Sequence, residues 1–393
     1  MIQQKNQQEF EKNYNKYTIL LDISPYFCHI LSIKFLVGGA MGYKKMNRNL
    51  TFAEVDLMTS MEHNRSLKMM EKINQIIDWS EIEAVLLKNY PVGSTIEGAD
   101  AFPPVMLLKA FLLQKWFRIN SDPELENQIN DRISFKTFLG LSFNMPSPDH
   151  STFSRFRGRL SKEAMNMINN IVLQQFSQKG LSINEGLAVD ARLVQSASHP
   201  ISNEEIKKQR EKRETPEGKI DKNGKPPKFS RDFESDWVIK NEIPHYGLKE
   251  HASVDINHGF VLATELTPAS VSDSIYLPYC VAASCHTDEP IKKVYADKGY
   301  YGKPNSGFLH LNDIADGIMR KDTKSTKLTD YEKERNKQIS KKRYIVEQYF
   351  GLSHLYNNAF RARFTRIAKN AIDVFFRQMA FNLFRGEKIL GTV

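Results

Sequence analysis

Two aspartates in the second half of the chain follow short apolar runs, at positions where their carboxylates can meet. Asp190 follows the run at 187–189, and Asp297 follows the run at 294–296. If each run is a buried strand, side chains at adjacent strand ends converge on one point. Either acid alone is readily explained as a turn or capping residue. Two neighbouring carboxylates repel each other unless a cation lies between them, so the pair predicts a cation site.

A third acid, Glu347, lies in a segment with helical spacing at 341–352. Arg343 precedes Glu347 by one turn and His354 follows it by two turns, so the three share one helix face. A helix packed on the sheet would present Glu347 to both aspartates and place Arg343 beside it for phosphate. The alternative is an ordinary i, i+4 ion pair on a surface helix.

The charge of the chain indicates an anionic partner. The formal net charge is +9 and the pI is about 9.1. Residues 320–393 contain 17 Lys and Arg against 7 Asp and Glu, so this segment holds the whole positive excess. Its arginines Arg361, Arg363 and Arg366 alternate with aromatic residues, a pattern typical of a surface that faces phosphates. A solvated basic surface is the alternative, and we favour nucleic acid.

The first half of the chain predicts helices. Residues 66–88 and 103–119 carry apolar residues at three- and four-residue spacing. The next candidate helix, at 150–160, places Arg155, Arg157 and Arg159 among apolar anchors. Short helices ending in a basic one fit a helix-turn-helix, and a plain bundle with a charged face fits equally well.

From Gly186 onward the pattern changes to strands. Candidates lie at 187–190, 245–254, 259–266 and 291–296, with helices at 271–283 and 329–358. This order predicts an α/β sheet with helices on its faces. Residues 199–236 are dense in charge, Pro and Gly, which predicts a flexible insertion.

Several classes of protein are excluded. Three cysteines are too few and too irregular for a disulfide framework or a zinc site, which favours a reducing cytosol. There is no phosphate-binding loop of the Gly-x4-Gly-Lys type, so no nucleotide cofactor is expected. The apolar stretch at 18–41 is interrupted by charged residues and Pro25, so we expect neither a membrane span nor a signal peptide.

Residues 102–384 resemble the transposases of the insertion-sequence-five group, within the DDE superfamily. The resemblance rests on an ordered series of motifs. They are PPVMLLK at 103–109, DHSTFSRFR at 149–157, HYGLK at 245–249, TPASVSDS at 267–274, ADKGYYG at 296–302, and Arg343-x3-Glu347.

The resemblance implies an α/β fold, a ribonuclease-H-like mixed sheet flanked by helices, preceded by an all-α, helix-turn-helix-like N-terminal domain. We expect a weakly structured extension at 1–45, a helical DNA-binding and dimerisation domain at 46–180, and a DDE catalytic domain at 181–384. The flexible insertion would lie at about 199–236 and a tail at 385–393. A location in the cytoplasm, associated with the nucleoid, is expected.

The resemblance also implies the chemistry. Asp190, Asp297 and Glu347 would be catalytic and would hold two Mg²⁺ ions per active site, with Mn²⁺ as a substitute. The reaction would be metal-dependent cleavage of double-stranded DNA at terminal inverted repeats, then strand transfer into a target site by a homodimer. The residues expected to contact DNA are Lys249, Arg343, His354, Arg155, Arg157 and Arg159.

The chain departs from the family at two positions of the third-acid helix. Ser340 stands where the family often has Tyr, and His354 where it often has Lys. Two alternatives therefore stay open. One is a ribonuclease-H-like nuclease or resolvase that cuts without joining, and the other is a non-catalytic protein from a decayed element that only binds inverted repeats.

Overall fold

The structure is a computed structural model that describes residues 42–44, 46, 52–93, 99–183, 185–215, 232–286, 290–322 and 327–391. The extension expected at 1–45 therefore lies outside the described residues except for 42–44, where Tyr43 forms an isolated bridge with Ala101. Among the described helices, none is both long and apolar enough to cross a membrane.

Eight helices form the first half of the described chain. Residues 66–88, predicted as one helix, form two, because the Asp78 side chain accepts a hydrogen bond from the Ser80 N–H and starts a new helix there. The helices are α1 (Phe52–Ser60), α2 (Arg65–Ile76), α3 (Trp79–Asn89), α4 (Pro104–Trp116), α5 (Asp122–Asp131), α6 (Ile133–Leu139), α7 (His150–Arg159) and α8 (Lys162–Gln178).

The second half contains a six-stranded mixed sheet, with strand order β2-β3-β1-β5-β6 and β4 paired to β3. β3 pairs antiparallel with β1, β2 and β4, whereas β5 is parallel to β1 and to β6. This is the expected ribonuclease-H-like sheet. β2 and β6 were not predicted from the sequence. The strands are β1 (Leu187–Gln195), β2 (Asp236–Lys240), β3 (Ile243–Asp255), β4 (Val261–Pro268), β5 (Lys293–Ala296) and β6 (Ala315–Ile318).

Helices cover both faces of this sheet. They are α9 (Asn203–Glu214), α10 (Asp273–Ala282), α11 (Lys303–Leu311), α12 (Asp330–Asn357) and α13 (Ile367–Leu390), with a 3-10 turn at Lys298–Tyr300. Alternate residues of a strand point to opposite faces. Ala188 and Ala252 pack against Val346 and Tyr349 of α12. Val189 belongs instead to the large core that contains Leu277 of α10.

The C-terminal helix joins the two halves. Phe376 of α13 stacks on Phe111 of α4 with ring centroids 4.6 Å apart, and Trp116 Nε1 donates to the Ala380 carbonyl over 2.9 Å. One continuous hydrophobic core therefore includes residues of both predicted domains. The tail predicted from 385 is wrong as far as Leu390, because α13 continues to that residue and its last turn packs on the core.

The predicted flexible insertion at 199–236 is also wrong for its first part. Residues 203–214 form α9, which begins at the capping side chain of Ser202. Acidic residues in its first turn and basic ones in its last complement the helix dipole. Ile206 anchors the helix in a small cluster with Ile201 and Tyr246. Residues 216–231 lie outside the described part.

Candidate active site

Asp190 lies in β1, in the centre of the sheet, on the face covered by α12. It pairs with Ala252 of β3 and is two residues from Ala188, both of which pack against that helix. Its Oδ1 accepts a hydrogen bond from the Ala191 N–H, and its Oδ2 accepts one from Arg343, both over 2.8 Å. The side chain is 22% exposed.

Asp297 follows directly after β5, the parallel neighbour of β1. The register pairs Ala296 with Val189, so the next residues along both strands, Asp297 and Asp190, lie side by side. Asp297 caps the 3-10 turn by accepting from the Lys298 N–H over 2.5 Å. The capping role predicted as the ordinary alternative is thus present, and the carboxylate remains 40% exposed.

α12 brings the third carboxylate to the same place. A capping box of Thr329 and Glu332 starts this 28-residue helix. Arg343 lies on its buried side, 7% exposed in its side chain, and Glu347 lies one turn later, 52% exposed. The Arg343 guanidinium is 2.8 Å from Asp190, 4.0 Å from Asp297 and 3.9 Å from Glu347. One guanidinium is therefore shared by all three acids.

Three carboxylates around one arginine leave an excess of negative charge. Burial raises the pKa of Asp190, Arg343 opposes this rise, and the neighbouring Asp297 and Glu347 add to it. A divalent cation would offset this repulsion, and carboxylate oxygens are the hard ligands that Mg²⁺ prefers. The residues present therefore fit a divalent metal site.

The three acids are spread more widely than the ligands of a single, already formed metal site. Within the described residues, the three carboxylates do not all bring an oxygen within 4.8 Å of one another. Ligands of a single ion must meet within about that distance.

In the described chain, one other set of side chains does meet that spacing: Glu126, Asp149 and His150. Hydrogen bonds within the protein explain it. Asp149 caps α7 through the Ser151 N–H, and Glu126 accepts from the backbone N–H of His150 over 2.8 Å. This cluster fixes the start of α7, and nothing further indicates a ligand.

The prediction that Lys249 contacts DNA is wrong. Lys249 lies on the face of the sheet opposite Asp190. Its partner in β1 is Leu193, three residues after Asp190, and residues an odd number apart along a strand point to opposite faces. The residue is 9% exposed, and its Nζ is 2.7 Å from Asp273 and donates to the Val271 carbonyl. The structure thus uses Lys249 to hold the start of α10, away from the acids.

The prediction that Arg157 contacts DNA is also wrong. Its guanidinium binds Asp122 through two hydrogen bonds of 3.0 and 2.6 Å and lies over the rings of Phe111 and Phe364. It is 8% exposed, so it stabilises the helical core. The other two predicted arginines of α7, Arg155 and Arg159, are exposed.

Of the other basic residues considered for DNA contact, His354 is exposed and Arg363 is paired within the protein. His354 is exposed two turns beyond Glu347, with its ring edge-on to Phe360. Arg363 bonds to Gln114 over 2.7 Å and pairs with Asp122 and Asp373, so it belongs to the interior. Some of the basic residues in 320–393 therefore form ion pairs inside the protein and do not face DNA.

Sequence reasoning missed several polar residues beside the acids. Tyr300 is 1% exposed, and burial, Cys280 and Asp190 together raise its pKa well above the usual value. Within the described residues its hydroxyl has no hydrogen-bond partner. Arg192, two residues after Asp190 in β1, and Glu250 of the neighbouring strand β3 form a 2.7 Å pair. Glu250 lies within the strand predicted at 245–254, but Arg192 lies beyond the one predicted at 187–190, so no sequence signal was available for that pair.

Comparison with known proteins gives consistent results. Residues 56–159 match the transposase domain (DUF772), and residues 184–383 match the transposase DDE domain. The chain is 31% identical over 247 residues to the transposase for insertion sequence element IS1106 of Neisseria meningitidis serogroup B. That similarity covers 61% of this chain and 79% of the relative. No solved structure matches the chain.

Proposed function

Because this chain belongs to the DDE transposase family, we propose that Asp190, Asp297 and Glu347 are its catalytic carboxylates. Family membership makes the chain an enzyme that cleaves DNA and transfers strands with a divalent metal. Family membership does not favour the two alternatives, a non-catalytic binding protein and a nuclease without strand transfer. The motif order supports the insertion-sequence-five group in particular.

One observation carries the assignment of the site: a single guanidinium lies within 4.0 Å of all three carboxylates. They come from a central strand, from the end of its parallel neighbour, and from a helix more than 150 residues after the first. Convergence of three acids on one point costs free energy through their mutual repulsion. A catalytic role with bound cations accounts for that cost.

We assign Mg²⁺ as the metal, with Mn²⁺ as a substitute. Asp190, Asp297 and Glu347 would hold two ions, which would activate the attacking oxygen and stabilise the leaving oxygen of an in-line displacement. The partly exposed Glu347 and Asp297 leave the site open toward solvent, where DNA approaches. Half-buried Asp190 is fixed by the Ala191 N–H and by the sheet.

The DNA partners are the terminal inverted repeats and a target site, handled by a homodimer because two element ends must be processed together. Arg343 is placed to bind a phosphate at the acids. His354 extends the exposed face of α12 beyond Glu347, and the exposed Arg155 and Arg159 of α7 are available for the repeats. Contacts of these side chains with phosphates would position the DNA without reading its sequence.

The test uses two glutamates of α12 with similar exposure. Glu347 is 52% exposed and Glu334 is 58% exposed, and the latter points away from the acids. A labelled duplex carrying the inverted repeat that flanks the coding sequence is incubated with Mg²⁺ and each protein. We expect Glu347→Gln to abolish nicking at the repeat end and Glu334→Gln to cleave like the wild type.

The products separate the alternatives. Joining of the freed 3′ end to a second duplex identifies a transposase, whereas cleavage without joining identifies a nuclease. Specific binding without cleavage by the wild type would contradict the catalytic assignment. Equal cleavage by wild type and Glu347→Gln would remove Glu347 from the site.

A further inference from the structure

Both carboxylate oxygens of Asp190 are engaged by donors of the protein. Oδ1 accepts from the Ala191 N–H, and Oδ2 accepts from Arg343, each over 2.8 Å. The first bond is made within the strand, and the carboxylate is still 22% exposed. The second lies on the side that faces Asp297 and Glu347. A metal ion bound among the acids would therefore lie beside the guanidinium, and the two positive charges repel.

Arg343 itself is poorly satisfied by hydrogen bonds. Its side chain is 7% exposed, and within the described residues its Nε has no partner. Nη1 reaches only the thioether of Met319 at 3.8 Å. The distances of 4.0 and 3.9 Å to Asp297 and Glu347 are too long for hydrogen bonds. Among the described residues, Asp190 is thus the one oxygen acceptor of the guanidinium, and the unused donors of Arg343 suit a second anion such as phosphate.

We propose that Arg343 makes metal binding and DNA binding depend on each other, a role that rests on the proposed site. Without DNA, the guanidinium neutralises Asp190 and competes with a divalent ion for its oxygen. A DNA phosphate gives Arg343 a better partner and draws it from Asp190, which then becomes available to the metal. The same coupling strengthens DNA binding when metal is present, because linkage between two sites is reciprocal.

The first experiment measures Mn²⁺ binding to the full chain by calorimetry, without DNA. We expect Arg343→Gln to bind Mn²⁺ about tenfold more tightly than the wild type, the size of one charge-assisted hydrogen bond. Lys342→Gln, an exposed neighbour on α12, removes the same charge without touching the acids and should bind Mn²⁺ like the wild type. Equal or weaker Mn²⁺ binding by Arg343→Gln would overturn the inference.

The second experiment measures the affinity for a 20-base-pair duplex of unrelated sequence, with and without Mn²⁺ at constant ionic strength. Phosphate contacts do not depend on base sequence, so this probe reports them without cleavage at a repeat. Mn²⁺ should raise the DNA affinity of the wild type and of Lys342→Gln by a larger factor than that of Arg343→Gln, in which only direct contacts between metal and phosphate remain. The same Mn²⁺ effect in all three proteins would contradict the coupling.

Two further variants separate a failure of the coupling from a failure of the proposed site. Arg343→Lys keeps the charge with fewer donors, and its Mn²⁺ affinity should fall between those of the wild type and Arg343→Gln, with an unchanged melting temperature. Asp190→Asn tests the proposed site by itself. If Asp190→Asn binds Mn²⁺ like the wild type, the proposed site is wrong. If it loses Mn²⁺ binding while Arg343→Gln behaves like the wild type, only the coupling is wrong.

Discussion

Arg377 of α13 donates a hydrogen bond to Glu250 of β3 over 2.8 Å, with both residues almost completely buried. Glu250 also binds Arg192, whose guanidinium reaches the Phe350 carbonyl of α12, the helix that carries Glu347. On its other side Arg377 approaches Asp373 at 3.7 Å. Buried ion pairs thus connect the catalytic sheet and helix to the C-terminal helix.

Asp373 is the acid that contacts three of the cations inside the protein. It pairs with Lys115 over 2.6 Å and lies 3.7 Å from both Arg363 and Arg377. Burial would raise its pKa, but these three cations lower it to about 2. We expect Asp373→Asn to lower the free energy of unfolding by about 3–5 kcal/mol, because the cations stay buried without their anion. Urea denaturation measures this loss.

The matched control for Asp373 is Glu211, which pairs with Lys207 at 3.9 Å on the surface of α9. Glu211→Gln should change the free energy of unfolding by less than about 1 kcal/mol, since exposed pairs contribute little. A loss of similar size in both variants would show that the buried network is not a special source of stability.

Two arginines of α7, two residues apart, should separate folding from DNA binding. Arg157→Ala leaves the buried Asp122 without its bidentate partner, so we expect a loss of about 3 kcal/mol in unfolding free energy. Arg155 is exposed, and within the described part of the chain its hydrogen bonds go to Ser151 and Thr152 of its own helix. Arg155→Ala should keep the stability and weaken DNA binding, with a smaller salt dependence of the affinity. Unchanged DNA affinity would exclude Arg155 from the interface.

Gly351 is exposed in the last third of α12, one turn after Glu347, and a Cβ there would meet no atom within 4 Å. Packing therefore gives no reason for glycine. Gly351→Ala should raise the free energy of unfolding by about 0.5–1 kcal/mol. Because the added methyl group faces the approaching DNA, cleavage of the repeat duplex should fall.

The control for Gly351 is Gln338→Ala, on the opposite side of the same helix from Glu347 and exposed. Its cleavage activity should match the wild type. Gly351→Ala with higher stability and full activity would show that DNA does not approach α12 at this turn.

Acid should destabilise the fold through His251. This histidine is fully buried, stacks on Tyr276 with ring centroids 4.6 Å apart, and has its pKa lowered by burial from 6.5 to about 4. The unfolded chain takes up a proton below pH 6.5 and the folded chain only near pH 4. The contribution of His251 to stability is therefore complete above pH 6.5 and is lost as the pH falls toward 4, by up to about 3 kcal/mol.

Urea midpoints measured between pH 7.5 and pH 4 test this expectation. His251→Phe cannot take up a proton and keeps the stacking, so its stability should fall less over the same range. Burial lowers the pKa of His286 to about 4 as well, so the variant retains part of the acid sensitivity. Identical pH profiles for both proteins would contradict a buried neutral His251.

Local patterns were sufficient for the elements and for the candidate acids. Apolar runs ending in Asp190 and Asp297 predicted two strand ends, and the spacing around Glu347 predicted α12 to within one residue at each end. These features depend on neighbours in the chain, so the sequence expresses them directly. β6 was missed because its four residues gain their stability from pairing with β5, a contact that no local pattern shows.

The sequence by itself determined which residue types could bind metal and DNA, and the order of helices and strands that carries them. Only the tertiary structure decided which charged side chains face the acids. Lys249, Arg157 and Arg363 look like phosphate ligands in the sequence, yet each is turned inward by an acid from a distant segment. The physical reason is that a charge is buried only together with its partner. Long-range packing brings that partner into place, and the residue's own neighbours do not reveal it.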